Sequence, residues 1–262
     1  MNLLLTEAAA AAVPMSSVFL SEFLGTMFLM IFGTGVCATN TLVKSKGQGS
    51  GWLLINFGWG FAVMIGVFIA FRTGGHLNPA VTLGLVAAGK TEFVPGIPVN
   101  AATTMIYIVA QMLGAFVGSA IAWLAYKKHY DEHAEGADIL GTFSTGPAIR
   151  SYGWNTVTEI IGTFALVYWV LVSGWTQSGL GPLAVGFVIF AIGASLGGPT
   201  GYALNPARDL SPRILHAILP IPNKGSSDWG YAWVPVVGPI VGGVLAGFIF
   251  IVTGEPGLAL GM

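Results

Sequence analysis

Six apolar runs of about twenty residues, each bounded by Gly, Pro or charge, leave a chain of 262 residues few ways to fold. They lie near residues 18–38, 52–71, 97–126, 156–174, 180–197 and 232–252. Lys, Arg, Asp and Glu together make up 8% of the chain, against roughly 25% in an ordinary soluble domain. So little charge cannot cover a soluble globule, whereas hydrocarbon accepts these runs as they stand. Without water the backbone must satisfy itself, which leaves helices or closed barrel strands, and runs of this length select helix. The 38 Gly suit helices that approach one another closely in lipid. The expected partner is a lipid bilayer. Net charge is −1 and there is no Lys/Arg run, so neither nucleic acid nor an anionic surface is implied. The single cysteine, Cys37, cannot form an internal disulfide and reads as a packed thiol. The N-terminal stretch is apolar but has no basic segment and carries Glu7; it reads as a short pre-helix ending at Pro14 rather than a cleaved signal.

Two further apolar stretches, 78–88 and 205–219, reach only roughly 17 and 23 Å as helices, too short for about 30 Å of hydrocarbon, and read as re-entrant half-helices. The polar stretch 127–153, with Asp131, Glu132, Glu135 and Asp138, reads as a solvated loop joining two halves. Those halves repeat: SEFLGT at 21–26 returns as TEIIGT at 158–163, HLNPAVTL at 76–83 as ALNPARDL at 203–210, and Gly114 and Gly118 as Gly238 and Gly242. The plan is an N-terminal segment 1–17, a first repeat 18–126, the loop 127–153, a second repeat 154–253 and a tail 254–262. With three spans per half, the second copy enters the membrane from the opposite side. The fold class is therefore an all-α membrane protein of six transmembrane helices and two half-helices in an inverted three-helix repeat.

Both half-helices begin Asn-Pro-Ala: Asn78, Pro79, Ala80 and Asn205, Pro206, Ala207. Asn caps a helix and Pro suits its first turn, so each tripeptide starts a helix. Two of them at matching repeat positions are not accidental. Opposed at mid-membrane, the two helix N-termini present positive dipole ends that repel cations, while the Asn amides offer N–H donors to a small neutral solute.

With the doubled motif, the Glu-x-x-Gly-Thr starts and Arg208 after the second motif, the chain resembles the aquaporin superfamily, and within it the glycerol facilitators. The resemblance runs from Ser21 to about Val252. It implies a right-handed bundle around one pore per subunit, a homotetramer, and passive conduction of glycerol, water and similar small neutral solutes without ions or protons. It implies an aromatic and arginine constriction built from Trp59, Gly193, Tyr202 and Arg208, with Phe57 as the alternative aromatic because the AFRTGGH loop, which holds Arg72, is one residue shorter than usual. Water-selective relatives usually carry His where this chain has Gly193, and the Gly leaves room. Rings on one side and a guanidinium on the other make a slot suited to a linear polyol. Tyr202 replaces the Phe common in glycerol facilitators and adds a hydroxyl. The resemblance further implies pore-lining backbone at Gly74, Gly75, His76, Gly201 and Ala203, loop support from Glu22 and Glu159 through backbone N–H groups, and a brace at Asp209.

Against this stand an ion-coupled secondary transporter, whose site would have to use Glu22, Glu159, Arg208 or Asp209, and a channel conducting mainly water or lactic acid. One Cys and the scattered His76, His129, His133 and His216 assemble neither a catalytic constellation nor a metal site, so no enzyme activity, cofactor or metal is expected. The resemblance puts the protein in the plasma membrane with both termini cytoplasmic. The positive-inside count points the other way, with Arg72 and Lys90 on the terminal side and Lys44, Lys46, Lys127, Lys128, Arg150 and Lys224 opposite.

Overall fold

The computed structural model describes residues 12–133, 135–175 and 178–253. In chain order it holds α1 (Met15–Thr41), α2 (Trp52–Ile69), α3 (Pro79–Ala87), an antiparallel hairpin of β1 (Glu92–Val94) and β2 (Ile97–Pro98), α4 (Ala101–Ala125), α5 (Lys127–Glu132), α6 (Gly136–Phe143), α7 (Tyr152–Val172), α8 (Pro182–Leu196), α9 (Pro206–Ile218) and α10 (Val234–Thr253). Helices α1, α2, α4, α7 and α10 are long and apolar enough to cross a membrane. The sixth, α8, is apolar but only 15 residues long.

Several boundaries differ from the sequence reading, among them the fourth span, whose helix α7 starts at Tyr152, four residues before the expected 156. The third span starts at Ala101 because Ile97 and Pro98 belong to the hairpin and Asn100 opens the helix, its Oδ1 accepting the Thr103 N–H at 3.0 Å while Thr103 Oγ1 accepts the Asn100 N–H at 3.1 Å. The pre-helix falls at residues 1–11, outside the described residues. Residues 12–14 are not helical, and Pro14 caps an α1 that begins three residues early. The stretch 127–153 is not simply a solvated loop: it folds into α5 and α6, which bury Tyr130, Ile139 and Phe143 in one cluster with Leu42, Leu215 and Ile221. Its acids Glu132, Glu135 and Asp138 stay exposed, so a mostly polar composition concealed two helices with an apolar inner face.

The repeat governs the packing. Glycines let α4 lie on α1 and α10 on α7, and the two crossings correspond atom for atom: a Cβ at Gly114 would stand 3.1 Å from the Met27 amide nitrogen, and one at Gly242 would stand 3.0 Å from that of Phe164, the repeat mate of Met27. The packing therefore pairs Gly114 with Gly242 and not, as the sequence spacing suggests, with Gly238, which meets Glu159 and Thr156. Short helix α3 packs on α10 of the other half, and α9 on α4. This exchange brings the two half-helix N-termini together at the centre of the molecule, inside a buried cluster that includes Leu29, Leu77, Val81, Leu166 and Leu204.

Candidate functional site

Asn78 Oδ1 accepts the Ala80 N–H at 2.8 Å, and Asn205 Oδ1 accepts those of Ala207 and Arg208 at 2.9 and 3.2 Å. Both amides thus cap their own helices as the sequence implies. Each Nδ2 also crosses to the other half: Asn78 donates to the Leu204 carbonyl at 2.7 Å and Asn205 to that of Leu77 at 2.8 Å. One of the two N–H donors on each amide is therefore spent on holding the halves together. The second remains for the lumen, since both asparagines line the central cavity.

Those carbonyls are aimed by strained backbone. Leu77 and Leu204 sit at φ 54° and 56°, a left-handed conformation that leucine adopts at a cost of order 1–3 kcal/mol. The buried Glu22 carboxylate holds the first turn, accepting the N–H groups of His76 and Leu77 at 3.1 and 2.9 Å, the Thr73 hydroxyl at 2.9 Å and Gln111 Nε2 at 2.9 Å. Glu159 does the same in the second half, accepting from Ala203 and Leu204 N–H at 3.0 and 2.9 Å and from the Thr200 hydroxyl at 2.6 Å. Sequence reading missed Thr73 and Thr200, although both halves share the longer signature Thr-Gly-x-x-Leu-Asn-Pro-Ala that would have found them. Four donors fill the lone-pair sites of Glu22. Glu22→Gln would turn an amide donor toward one of those N–H groups, so we expect a loss of roughly 1.5–3 kcal/mol for each charge-assisted bond removed. Thermal unfolding in detergent measures it. Normal stability with an altered pH dependence of flux would instead mark Glu22 as a proton carrier.

Beyond the asparagines, Arg208 lies with its guanidinium carbon 4.0 Å from the centroid of the Trp59 ring. This places Trp59, not Phe57, beside the arginine. Phe57 is half-exposed on the outer face of α2, its ring 4.3 Å from that of Phe190. Tyr202 and Trp59 both line the cavity, but Gly193 does not. A Cβ on Gly193 would stand 2.6 Å from Tyr202 Cζ and closer still to Asn56 Oδ1, so the room left by the glycine is filled by the tyrosine ring rather than open to solute. The ring is steadied by the edge of Trp52, whose Nε1 donates to the Gly193 carbonyl at 3.1 Å. The Tyr202 hydroxyl, expected to bear on the width of the slot, is instead buried without a hydrogen-bond partner among the described residues, as is Asn56 Oδ1.

The connecting segment also reaches the arginine. Arg208 Nη1 donates to the Phe143 carbonyl at 3.0 Å, so α6 fixes the guanidinium from outside the repeat. Asp209, fully buried, accepts the N–H and hydroxyl of Thr145, both at 2.7 Å, and pairs with Arg213 at 2.8 Å. Arg213 in turn donates to the Thr145 and Ser227 carbonyls, each at 2.8 Å. Neither Arg213 nor Phe143 emerged from the sequence. An Asp and an Arg spaced i, i+4 on a half-helix were the available signal for the first; the second acts through its backbone, which residue identity does not reveal. Within this segment burial pushes the Tyr130 hydroxyl above its ordinary range, and that hydroxyl shares a 2.7 Å bond with Thr142.

The cavity, of about 880 Å³, runs from a mouth lined by Phe71, Arg72, Pro95 and Pro182, past His76, Asn78 and Asn205, to Trp59, Tyr202 and Arg208. Its lining combines the aliphatic Leu29, Val63, Val67 and Ile189 with the loop residues Gly74, Gly75, His76 and Ala203. Gly201 is not part of the lining. The His76 ring is held between Phe93 and Tyr107, with Nδ1 3.1 Å from the Thr82 hydroxyl.

The sequence profile described as major intrinsic protein matches residues 9–250. Over 240 residues the chain is 50% identical to the "Glycerol uptake facilitator protein 3" of Lactiplantibacillus plantarum, covering 90% of this chain and 97% of that one. Over 239 residues it is 52% identical to the "Probable glycerol uptake facilitator protein" of Thermotoga maritima, covering 89% and 98%. Among solved structures, that of the aquaglyceroporin from Plasmodium falciparum matches with a TM-score of 0.76 at 30% identity, covering 91% of this chain and 96% of the other.

Proposed function

Because the chain belongs to the major intrinsic protein family, we propose that this multi-pass membrane protein is a passive channel for glycerol, water and similar small neutral solutes, that it excludes ions and protons, and that it catalyses no reaction. The observation that carries the reading is the cavity itself. Aliphatic side chains in the lining, two asparagine donors and, with Tyr202 in the same lining, an arginine lying on the Trp59 ring match a molecule with a carbon face and a row of hydroxyls. Cation exclusion rests on the opposed N-termini of α3 and α9, a device general to aquaporin-type pores. What weakens the ion-coupled alternative is that all three buried carboxylates are held by protein donors, Glu22 and Asp209 by four each and Glu159 by three. The names of the relatives support glycerol uptake, and family resemblance supports a homotetramer in the plasma membrane with cytoplasmic termini, which a C-terminal reporter active only outside the cytoplasm would test.

Trp59, Tyr202 and Arg208 act in this reading as the selective constriction, with Gly193 behind it, and Asn78 and Asn205 as the central donors. Arg208→Val removes the formal positive charge that lies on the Trp59 ring. In proteoliposome swelling assays it is expected to admit larger polyols and charged solutes while glycerol still passes. A permeability spectrum unchanged in correctly folded protein contradicts the assignment.

A further inference from the structure

The Trp59 ring is held from behind by α1, a helix that contributes little else to this end of the cavity. Its indole Nε1 donates to Cys37 Sγ at 3.3 Å. Its six-membered ring lies directly against Gly33, where a Cβ would stand 2.6 Å or less from three ring carbons. Gly33 and Cys37 are one helical turn apart and so share a face of α1. With the guanidinium of Arg208 on the ring face, three contacts fix the plane of a side chain that is itself only 5% exposed. A buried indole N–H needs an acceptor, and the weakly accepting thiol is the one α1 supplies here.

We propose that Cys37 and Gly33 are positioning residues that set the selectivity of the channel by orienting Trp59. The proposal rests on the reading of Trp59 as part of the constriction. Cys37→Val keeps the approximate shape and removes the acceptor, so the ring is free to tilt away from the guanidinium. Cys37→Ser restores an acceptor at the same place. Gly33→Ala places a methyl inside the present ring position and displaces the ring from its seat beside Arg208.

The test is the ratio of glycerol to water permeability in proteoliposomes of the full chain, compared at equal protein density. Cys37→Val is expected to change that ratio at least about threefold and Cys37→Ser to bring it back near wild type, with Gly33→Ala lowering it at least about fivefold where the protein folds. Trp59→Phe, which has no N–H, is expected to shift the ratio on its own, and adding Cys37→Val to it should change nothing further. If Trp59→Phe shifts the ratio while Cys37→Val does not, or if the two effects simply add, Cys37 does not act through Trp59 and the proposal is overturned. If Trp59→Phe leaves the ratio untouched, the constriction itself has been misplaced, which is a separate failure.

Discussion

Histidine in place of Gly193 is expected to cut glycerol flux at least roughly tenfold, equivalent to about 1.4 kcal/mol of added barrier, while water flux falls much less. The first atom of the new side chain already overlaps Tyr202 Cζ and Asn56. Gly197, one turn on at the C-terminal end of α8 and on the same face, packs as closely against Tyr202, so the ring is seated across both glycines and cannot slide along the helix. What relieves the overlap is movement of the ring toward Arg208 and the lumen. Glycerol needs the full width between the rings and the guanidinium; a single file of water does not. Paired osmotic swelling with both solutes at equal protein density reads the effect. Equal losses of glycerol and water would mean that Tyr202 does not set the aperture.

The largest loss of stability is expected from Arg213→Met, because it leaves the Asp209 carboxylate buried with its partner gone. Removing one member of a fully buried ion pair costs about 3–5 kcal/mol, and here both side chains are completely enclosed. The same substitution strands the Thr145 and Ser227 carbonyls. Arg150→Ala, which breaks the partly exposed pair with Asp228, makes the comparison, with a cost of about 1 kcal/mol or less. Melting temperatures in detergent should separate the two variants clearly. Similar melting points would show that the Asp209–Arg213 pair is not what ties α9 to the segment above it.

The parts of the site that could be read from the sequence are those where identity and repetition coincide. Asn78 and Asn205, Pro79 and Pro206, and Glu22 and Glu159 are the same residue twice at matching places, and a side chain does the work in each case. The half-helices were likewise legible from length alone, since α3 and α9 end within a residue of the expected bounds. What escaped was carried by backbone or by shape. Phe143 holds Arg208 through its carbonyl, so nothing in the residue type announces it. Leu77 and Leu204 contribute a left-handed turn, invisible in a leucine. Gly193 was recognised as a missing side chain, but only packing shows that the Tyr202 ring occupies the space. The choice between Phe57 and Trp59 needed the phase of α2, because a two-residue step turns a helix by more than half a circle. Helices α5 and α6 escaped because their apolar residues are a minority in a polar stretch, and burial depends on which face those few share.

The central claim, a channel that moves a neutral polyol down its own gradient, is tested most directly by initial glycerol uptake into proteoliposomes of the purified chain, measured with and without an imposed proton or sodium gradient and alongside water permeability. The account predicts rapid glycerol entry that is the same in both conditions, that stops when inside and outside concentrations are equal, and that is accompanied by water flux but no ionic current. Uptake that accelerates with the ion gradient, or glycerol accumulated above its outside concentration, would contradict it.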